Sequence, residues 1–358
     1  MGVLSKTMET HLRSLPKVEL HRHLDCSLRW STAIEIARTL PQFQTMSLTE
    51  LEQSFLITEP FADLDSVLRK FTSMRDLLQS AEILERLAFE VCEDAVNDGV
   101  RILELRFSPT FVAEANPQLK PDQILNAFLR GIARAERTWP IAVGLILIFQ
   151  RTKTLGELLA LRDWALDRRE DFVGVDLADS EDRFEPSQFQ SLFQPLRGTW
   201  PITIHAGETI YPNSSAGMRG AVELLGAQRI GHGIQAIRDP SLLQFLRDRQ
   251  IILEVCPWSN HLTKSVNTYS KHPLKKLLEA GQFVTLNTDD PGVFASNLID
   301  EYHLAQALGV TIQDFAWMND VACAGSFLSA EKISRVWPRP RQKLSDLLST
   351  ASSQKGPS

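Results

Sequence analysis

The sequence of 358 residues lacks a long apolar run, an apolar leader and a paired set of cysteines. Its longest apolar run, Ile141–Phe149, has nine residues, whereas a membrane-spanning helix needs about 20. The first 14 residues are polar and contain no apolar segment of the kind that directs secretion. The four cysteines, at positions 26, 92, 256 and 323, have no paired spacing, so we expect reduced thiols. These absences predict a cytoplasmic protein that does not span a membrane.

Basic residues are also scarce, since 38 lysines and arginines stand against 44 aspartates and glutamates, for a net charge of −6. No run of lysine and arginine stands out, whereas a nucleic-acid-binding protein needs a basic face or stripe. We therefore expect no nucleic-acid partner, and a small neutral or cationic substrate fits this balance better than a polyanion. Apolar residues make up 43% and charged residues 23%, which is ordinary for a globular protein.

Short apolar runs rich in β-forming residues alternate with amphipathic, helix-like segments along the chain. The runs are Val18–Asp25, Arg101–Ser108, Ile141–Phe149, Phe172–Ala178, Pro201–Glu208, Arg229–Gly233, Ile251–Pro257 and Phe283–Asp290. The helical segments include Ala81–Asn97, Pro121–Arg137, Leu155–Arg169, Ala216–Leu225, Ser241–Arg249 and Pro273–Ala280. Strands that alternate with helices pair in parallel, because a parallel connection needs a crossover. Eight such units predict an α/β fold, a (β/α)8 TIM barrel formed by a single domain over residues 1–358.

The stretch from Trp30 to Ser80 is too long for one crossover and has helical patterning. An insertion after the first strand falls on the active-site face of a barrel, so extra helices around residues 30–80 would form a lid. A helical decoration packed on the barrel wall is the alternative. After the eighth strand, closing helices are predicted at Ile299–Leu308, Ile312–Ala324 and Ala330–Val336, and a disordered tail at residues 349–358.

Two histidines, His21 and His23, stand at the end of the first predicted strand. Side chains alternate between the two faces of a strand, so these imidazoles point the same way. Imidazoles placed side by side at the top of a barrel are suited to hold a metal ion. The alternative is a pair of histidines on a solvated strand end.

Polar residues also follow three later strands. His205 and Glu208 lie at the end of strand five, where a carboxylate can reach a substrate over the barrel mouth. His232, at strand six, stands between glycines that let the backbone turn sharply, although a buried, hydrogen-bonded histidine would show the same pattern. Asp289 and Asp290 follow strand eight, where two adjacent acids are unusual for a core but would also cap a helix.

All of these residues fall at the C-terminal ends of predicted strands, where α/β barrels carry their chemistry. Three histidines and one carboxylate suit Zn²⁺, with water in an open position. No second cluster of such residues is visible along the chain. The sequence therefore predicts one zinc ion per chain.

The sequence resembles the adenosine deaminase family over nearly its whole length. The matching stretches are Leu15–Asp25 (LPKVELHRHLD), Glu104–Pro109 (ELRFSP), Gly174–Ala178 (GVDLA), Ile204–Glu208 (IHAGE), Arg229–Gly233 (RIGHG), Glu254–Asn260 (EVCPWSN) and Leu286–Gly292 (LNTDDPG). The resemblance implies a zinc-dependent hydrolase that converts adenosine, or a closely related 6-aminopurine nucleoside, to the 6-oxo product (inosine) with release of ammonia.

The resemblance also implies roles for single residues. The zinc ligands would be His21, His23, His205 and Asp289. His232 would orient the attacking water and stabilise its developing charge, and Glu208 would hand a proton to N1 of the purine. Asp289 thus belongs to the catalytic set with Glu208 and His232. Asp290 would hydrogen-bond N7 of the ring, and Asp25 would contact a ribose hydroxyl.

Two positions depart from the family pattern. Cys26 follows the first strand where the family usually has glycine, and Asp179 replaces the glycine that follows strand four. In the family that glycine gives a backbone N–H to N3 of the purine. Asp179 retains the N–H but adds a charged side chain. This side chain would either accept a hydrogen bond from an atypical substrate or point away and cap the following loop.

Other substrates and other classes of protein stay open. Deaminases of adenine, N6-methyl-AMP or aminodeoxyfutalosine are alternatives, although the Asp25 carboxylate would repel a 5′ phosphate. A two-metal hydrolase of an amide or ester often uses a carboxylated lysine on strand four, and Phe172–Ala178 contains no lysine. Cys26 and Asp179 also leave open a catalytically inactive relative that binds nucleosides. The expected partner is a small purine nucleoside. The sequence does not indicate an oligomeric state.

Overall fold

The computed structural model describes residue 10, residues 12–61 and residues 64–347. The predicted disordered tail at residues 349–358 lies outside the described residues. Within them, two parallel sheets of four strands each form the centre of the fold. The strands are β1 (Lys17–His23), β2 (Val100–Phe107), β3 (Ala142–Gln150), β4 (Gly174–Ala178), β5 (Thr203–Ala206), β6 (Arg229–His232), β7 (Ile252–Val255) and β8 (Phe283–Leu286).

Each strand pairs with its neighbours in sequence. The order is β1-β2-β3-β4 in one sheet and β5-β6-β7-β8 in the other, and every pairing is parallel. All eight predicted strands are therefore confirmed as strands of an α/β fold. Several predicted runs continue past the last strand residue, because their final polar residues turn out of the sheet into loops.

The edges of the two sheets meet through isolated bridges. Val175 in β4 pairs with Ile202, just before β5, and Arg22 in β1 pairs with Asp289, just after β8. The Asp289 N–H donates a hydrogen bond to the backbone carbonyl of His21 (3.0 Å). This contact places the C-terminal end of β1 beside that of β8.

Helices follow each strand, as crossovers between parallel strands require. The helices are α1 (Trp30–Ala37), α2 (Leu48–Phe55), α3 (Leu64–Asp76) and α4 (Ala81–Asn97) after β1; α5 (Pro109–Ala115) and α6 (Pro121–Thr138) after β2; α7 (Leu155–Asp167) after β3; α8 (Gln190–Phe193) after β4; α9 (Ser214–Glu223) after β5; α10 (Pro240–Asp248) after β6; α11 (Pro257–Leu262) and α12 (Leu274–Glu279) after β7; and α13 (Pro291–Phe294), α14 (Leu298–Ala307), α15 (Ile312–Gly325) and α16 (Ala330–Val336) after β8. The structure contains the predicted crossover and closing helices, with ends shifted by one or two residues.

Capping side chains explain where several helices begin. Ser80 accepts a hydrogen bond from a backbone N–H in the first turn of α4, and Ser108 does the same for α5. Thr154 and Glu157 form a reciprocal capping box at the start of α7. Ser108 comes directly after β2, so the helix begins as soon as the strand ends, at the C-terminal edge of the sheet.

Helices α1, α2 and α3 lie in the segment that the pattern marks as an insertion. The backbone N–H groups of Ile57 and Phe61 donate hydrogen bonds to the carbonyls of Val293 and Leu262, at 2.8 and 3.2 Å. Val293 lies on α13 and Leu262 on α11, which follow β8 and β7. The chain around residues 57–61 therefore contacts the side of the sheets where these two strands end.

Candidate active site

Four histidines and an aspartate converge at the C-terminal ends of β1, β5, β6 and β8. The ring centroid of His21 lies 4.6 Å from that of His205 and 4.9 Å from that of His232. His23 Nε2 lies 3.3 Å from His205 Nε2 and 3.3 Å from Asp289 Oδ1. His21 Nε2 lies 3.1 Å from the same Asp289 oxygen. The structure thus brings together the strand-end histidines and Asp289.

Several pairs of the predicted ligand atoms have the spacing that a metal ion requires. Ligand atoms bound tetrahedrally to Zn²⁺ at about 2.0–2.1 Å lie about 3.3 Å from one another, close to the separations in this cluster. His21 Nε2 is buried and makes no hydrogen bond of good geometry among the described residues, even with Asp289 Oδ1 at 3.1 Å, so its lone pair is available. Ligand atoms of His21, His205, His232 and Asp289 lie within 4.8 Å of one another, and so do those of His23, Asp289 and Asp290. These residues fit a divalent metal ion.

The backbone around this cluster is strained or tightly packed. His232 and Asp289 have φ values of 63° and 68°, in the left-handed region that costs a non-glycine residue about 1–2 kcal/mol. A Cβ atom at Gly231 would lie only 2.9 Å from His21 Cε1, so glycine allows β6 to approach the His21 ring. Such strain is tolerated where a side chain must take one position for function.

A second layer of polar groups orients the ligand side chains. Glu254 Oε2 lies 2.8 Å from His21 Nδ1, and Asp176 Oδ2 lies 2.9 Å from His205 Nδ1. Ser259 donates a hydrogen bond to Asp289 Oδ2 at 2.6 Å. A carboxylate that accepts the Nδ1 proton leaves the Nε2 lone pair directed at the ligand cluster.

One buried guanidinium, that of Arg106 on β2, connects the two orienting carboxylates. It donates to Asp176 Oδ2 at 2.8 Å and to Glu254 Oε2 at 2.7 Å, and all three side chains are fully buried. Arg229 Nε lies 2.6 Å from the other Glu254 oxygen. Burial alone would raise the pKa of Glu254, but the charges of Arg106 and Arg229 hold that pKa well below its usual value. Glu254 is therefore an anionic acceptor.

The motifs along the chain do not predict these orienting residues, although the sequence carries a signal for them. Asp176 and Glu254 are single charged residues in apolar β strands, Arg106 lies on a strand that also contains Arg101 and Glu104, and all three side chains are buried. A charge on a buried strand must be paired, so such residues mark a polar interior. Their partners lie on distant strands and are not visible in the local pattern.

Glu208 lies at the rim of the cluster. Its Oε2 atom is 3.5 Å from His232 Nε2, and Thr263 donates a hydrogen bond to its Oε1 atom at 2.9 Å. The Glu208 side chain is 24% exposed, whereas that of His232 is 1% exposed. The Glu181 carboxylate accepts hydrogen bonds from the N–H groups of Gly207 and Glu208, at 2.6 and 2.8 Å, and so holds the loop after β5. Glu208 is thus placed between the buried cluster and the opening.

The remaining predicted contact residues occupy two different environments. Asp25 and Asp290 are buried beside the cluster, and Asp25 Oδ2 accepts a hydrogen bond from the Ser108 N–H at 3.0 Å. Burial raises the pKa of Asp25 to about 6, although His23 and the Ser108 N–H act in the opposite direction. Cys26 is also buried here.

Asp179, in contrast, has an exposed side chain that turns into the following loop. Its carboxylate accepts hydrogen bonds from the Thr152 hydroxyl and, at 2.8 Å, from the Ser180 N–H. Its φ of 86° is in the left-handed region, where the family pattern has glycine. In the structure this side chain therefore caps the following loop, which is the second of the two possibilities given above for Asp179.

The adenosine deaminase family model matches residues 16–339, a span that contains every residue of this cluster. The chain belongs to the adenosine deaminase family. The adenosine deaminase of Klebsiella pneumoniae (strain 342) is 36% identical over 324 residues, which cover 89% of this chain and 96% of that relative. The adenosine deaminase of Salmonella typhimurium is 39% identical over 299 residues, which cover 82% of this chain and 87% of that relative. The predicted family and enzyme class, a hydrolase of C–N bonds, are confirmed.

Solved structures of similar fold support the same architecture. An amidohydrolase from Burkholderia ambifaria with bound Zn has a TM-score of 0.83 at 23% identity, covering 98% of this chain and 96% of that chain. The N6-methyl-AMP deaminase of Arabidopsis thaliana has a TM-score of 0.77 at 27% identity, covering 97% and 99% of the two chains.

Among the described residues of this family member, no helix is long and apolar enough to cross a membrane. All four cysteines are free and buried.

Proposed function

We propose that this family member is a zinc-dependent hydrolase that deaminates adenosine or a closely related 6-aminopurine nucleoside to the 6-oxo product and ammonia. The observation that carries the proposal is that His21, His23, His205 and His232 surround Asp289 at the strand ends, where His21 Nε2 and His23 Nε2 both approach the same Asp289 oxygen. Such a site joined to a rim carboxylate, Glu208, combines the groups that hydrolysis of an aromatic C–N bond needs.

The proposed fold is one closed (β/α)8 barrel, a single domain over residues 1–358, with inserted helices near residues 30–80 as a lid. The bridges at Val175 and Arg22 support closure, because each joins one sheet to the other. The contacts of Ile57 and Phe61 with the segments after β8 and β7 support a lid over the site. Water exclusion by such a lid strengthens electrostatic interactions within the site.

The proposed metal is one zinc ion, held by His21, His23, His205 and Asp289. The ligand types support zinc, and so does the Burkholderia ambifaria protein of the same fold, which has bound Zn. When bound, zinc is a Lewis acid that lowers the pKa of water toward about 7. The Nδ1 contacts of Glu254 and Asp176 keep the Nε2 atoms of His21 and His205 directed at the metal position.

The chain itself supplies the other groups of the reaction. Attack at C6 places electron density on N1 of the purine, and Glu208 would hand a proton to that nitrogen. Thr263 holds one Glu208 oxygen, so the other oxygen remains directed toward His232 and the cluster. His232 would orient the attacking water through its Nε2 edge.

Substrate contacts are proposed for three aspartates. Asp290 would hydrogen-bond N7, Asp25 a sugar hydroxyl, and the backbone N–H of Asp179 the N3 atom. The buried Asp25 carboxylate supports a nucleoside rather than a nucleotide, because a carboxylate repels a 5′ phosphate. The expected partner is therefore a neutral purine nucleoside.

The test is a substrate panel with the purified, zinc-loaded protein. Adenosine, 2′-deoxyadenosine, adenine and N6-methyl-AMP are each assayed for release of the C6 amine, as ammonia or methylamine. We expect the highest kcat/KM with adenosine or its deoxy analogue. Preference for adenine or N6-methyl-AMP would overturn the nucleoside assignment, and nucleoside binding without turnover would identify an inactive binding protein.

A further inference from the structure

Two buried residues outside the predicted site, Asn260 and His272, form a hydrogen-bond chain to the Nδ1 edge of His232. Asn260 Nδ2 lies 3.0 Å from His232 Nδ1, and His272 Nε2 lies 3.2 Å from Asn260 Oδ1. The Leu274 N–H donates a hydrogen bond to His272 Nδ1 at 3.2 Å. The Asn260 and His272 side chains are almost completely inaccessible. The chain thus runs from the start of α12 through α11 to β6.

The direction of every bond in this chain follows from its last member, since a backbone N–H can only donate. Because Leu274 donates to His272 Nδ1, a neutral His272 ring carries its proton on Nε2. That N–H donates to Asn260 Oδ1, and the Asn260 NH2 group then donates to His232 Nδ1. Burial lowers the pKa of His272 to about 3, so this ring is neutral.

The opposite orientation of the Asn260 amide is unfavourable. It would place the NH2 group against the Nε2–H of His272, so that two donors would face each other in a buried space. The Asn260 backbone is also fixed, because its N–H donates to the Cys256 carbonyl at 2.9 Å and its carbonyl accepts from the Val266 N–H at 3.1 Å. The amide therefore has one favourable orientation.

We infer that Asn260 and His272 are positioning residues that fix the tautomer of His232 with its proton on Nε2. His232 Nε2 is the atom that faces the site, 3.5 Å from Glu208 Oε2 and 3.8 Å from Asp289 Oδ2. This inference rests on the proposed deaminase function, because it specifies how His232 takes part in the reaction.

The tautomer decides what His232 can do for the attacking water. With a proton on Nε2 and a hydrogen bond at Nδ1, the ring has no lone pair that faces the water and cannot accept its proton. It donates a hydrogen bond to the water oxygen instead. A buried donor held in place before the reaction stabilises developing negative charge without reorganisation. Asn260 and His272 set this role without contact with the substrate.

The first test reads the tautomer directly, in the zinc-loaded full chain with ¹⁵N-labelled histidine. We expect the His232 signal, assigned by its loss in a His232→Gln variant, to show a protonated Nε2 and an unprotonated Nδ1. Asn260→Asp should reverse the tautomer, because a carboxylate only accepts and would draw the proton to Nδ1. His303→Gln, on α14 and outside the chain of contacts, is the control and should leave the His232 signal unchanged.

The second test separates positioning from general damage. In Asn260→Asp and His272→Phe, we expect kcat to fall about 100-fold or more, as when a catalytic histidine takes the wrong tautomer, while KM and zinc content change less than about threefold. His272→Gln should recover part of kcat, because its amide N–H can replace the donor at Nε2. Equal losses in His272→Gln and His272→Phe would refute a donor role for His272.

The two tests distinguish this inference from the proposed function. A wild-type signal with the proton on Nδ1, or no reversal in Asn260→Asp, would overturn the inference whatever the substrate is. The wild-type measurement needs only the His232→Gln variant for its assignment, so it decides even if the Asn260 and His272 variants fail to fold. A protein with the expected tautomer that releases no ammonia from any purine would instead refute the proposed function alone.

Discussion

At the residue scale, the two oxygens of Glu208 have different surroundings. Oε1 accepts a hydrogen bond from Thr263, and Oε2 faces His232 Nε2 at 3.5 Å. The side chain is 24% exposed, more than that of any histidine in the cluster. A group in this position can exchange a proton with a substrate in the opening without displacing any of the predicted ligands.

Glu208→Gln should therefore lower kcat without releasing the metal. The amide has nearly the same shape but cannot donate a carboxyl proton, and general acid catalysis contributes about 10²–10⁴ in rate. Ammonia release and zinc content, measured on the same preparation, check the prediction. Thr263→Val is the matched control and should have a smaller effect, because it removes a hydrogen bond to Glu208 but leaves the carboxyl group and its contact with Ser265. Near-normal turnover in Glu208→Gln would contradict the proposed role.

Asp179 departs from the family pattern, and we expect this departure to leave the substrate specificity unchanged. Its carboxylate accepts a hydrogen bond from the Ser180 N–H in the same loop, and its backbone has a conformation that glycine adopts freely. We expect Asp179→Gly to leave the ratio of kcat/KM for adenosine and for 2-aminoadenosine unchanged within about twofold. Asp179→Ala should be less stable than Asp179→Gly by about 1 kcal/mol, because alanine keeps the left-handed strain. A shift in the substrate ratio would show that the carboxylate reaches the pocket.

At the element scale, the site depends on strands that are far apart in the chain. β1 and β5 supply His21 and His205, whereas β7 and β4 supply the carboxylates that orient them. β2 supplies Arg106, which contacts both carboxylates. The alternation of side chains places each group on the inner face of its strand, so the order of the strands decides which groups meet.

Arg106→Lys should weaken zinc binding about 10- to 100-fold, the range found when groups that orient metal ligands are removed. A lysine ammonium can pair with one carboxylate but cannot span Asp176 and Glu254 as the planar guanidinium does. Competition with a chromophoric zinc chelator measures the affinity. Arg229→Lys is the matched control, since Arg229 is equally buried and contacts Glu254 but not Asp176. Equal losses of affinity in the two variants would argue against a special role for Arg106.

At the scale of the whole molecule, folding buries charged groups that have no part in the site. Lys17, the first residue of β1, is inaccessible and donates hydrogen bonds to the carbonyls of Leu12 and Leu15. Burial lowers the pKa of Lys17 to about 7, although the charge of Asp98 raises it and that of Arg13 lowers it further. The unfolded chain would retain the ordinary pKa of 10.5.

This difference predicts a pH dependence of stability. Between pH 7 and 10 the unfolded state holds a proton on Lys17 that the folded state has released, so stability rises with pH. The free energy of unfolding of the wild type, relative to Lys17→Met, should increase from pH 7 to 9 by at most about 1.4 kcal/mol per pH unit. Urea unfolding at three pH values measures it, with Lys332→Met, whose side chain is 43% exposed, as a control that should show no trend. A constant or falling difference for Lys17→Met would contradict the prediction.

The eight strands and the groups at their ends were determined by the sequence alone. Alternation of apolar runs with amphipathic segments is a local property of the chain, set by backbone geometry within about ten residues. His21 and His23 had to share a face because side chains alternate along a strand. Their convergence with His205 and Asp289 followed once parallel strands placed all C-terminal ends on one side.

The tertiary structure alone decided which distant groups pair. His21 and Glu254 are 233 positions apart in the sequence, and His205 and Asp176 are 29 apart. The direction of the Asp179 carboxylate, toward Thr152 and away from the pocket, depended on the loop beside it. The hydrogen bonds from His272 through Asn260 to His232 required α11 and the residues before α12 to lie beside the end of β6. Local periodicity cannot specify such contacts, because they depend on how complete elements are placed relative to one another.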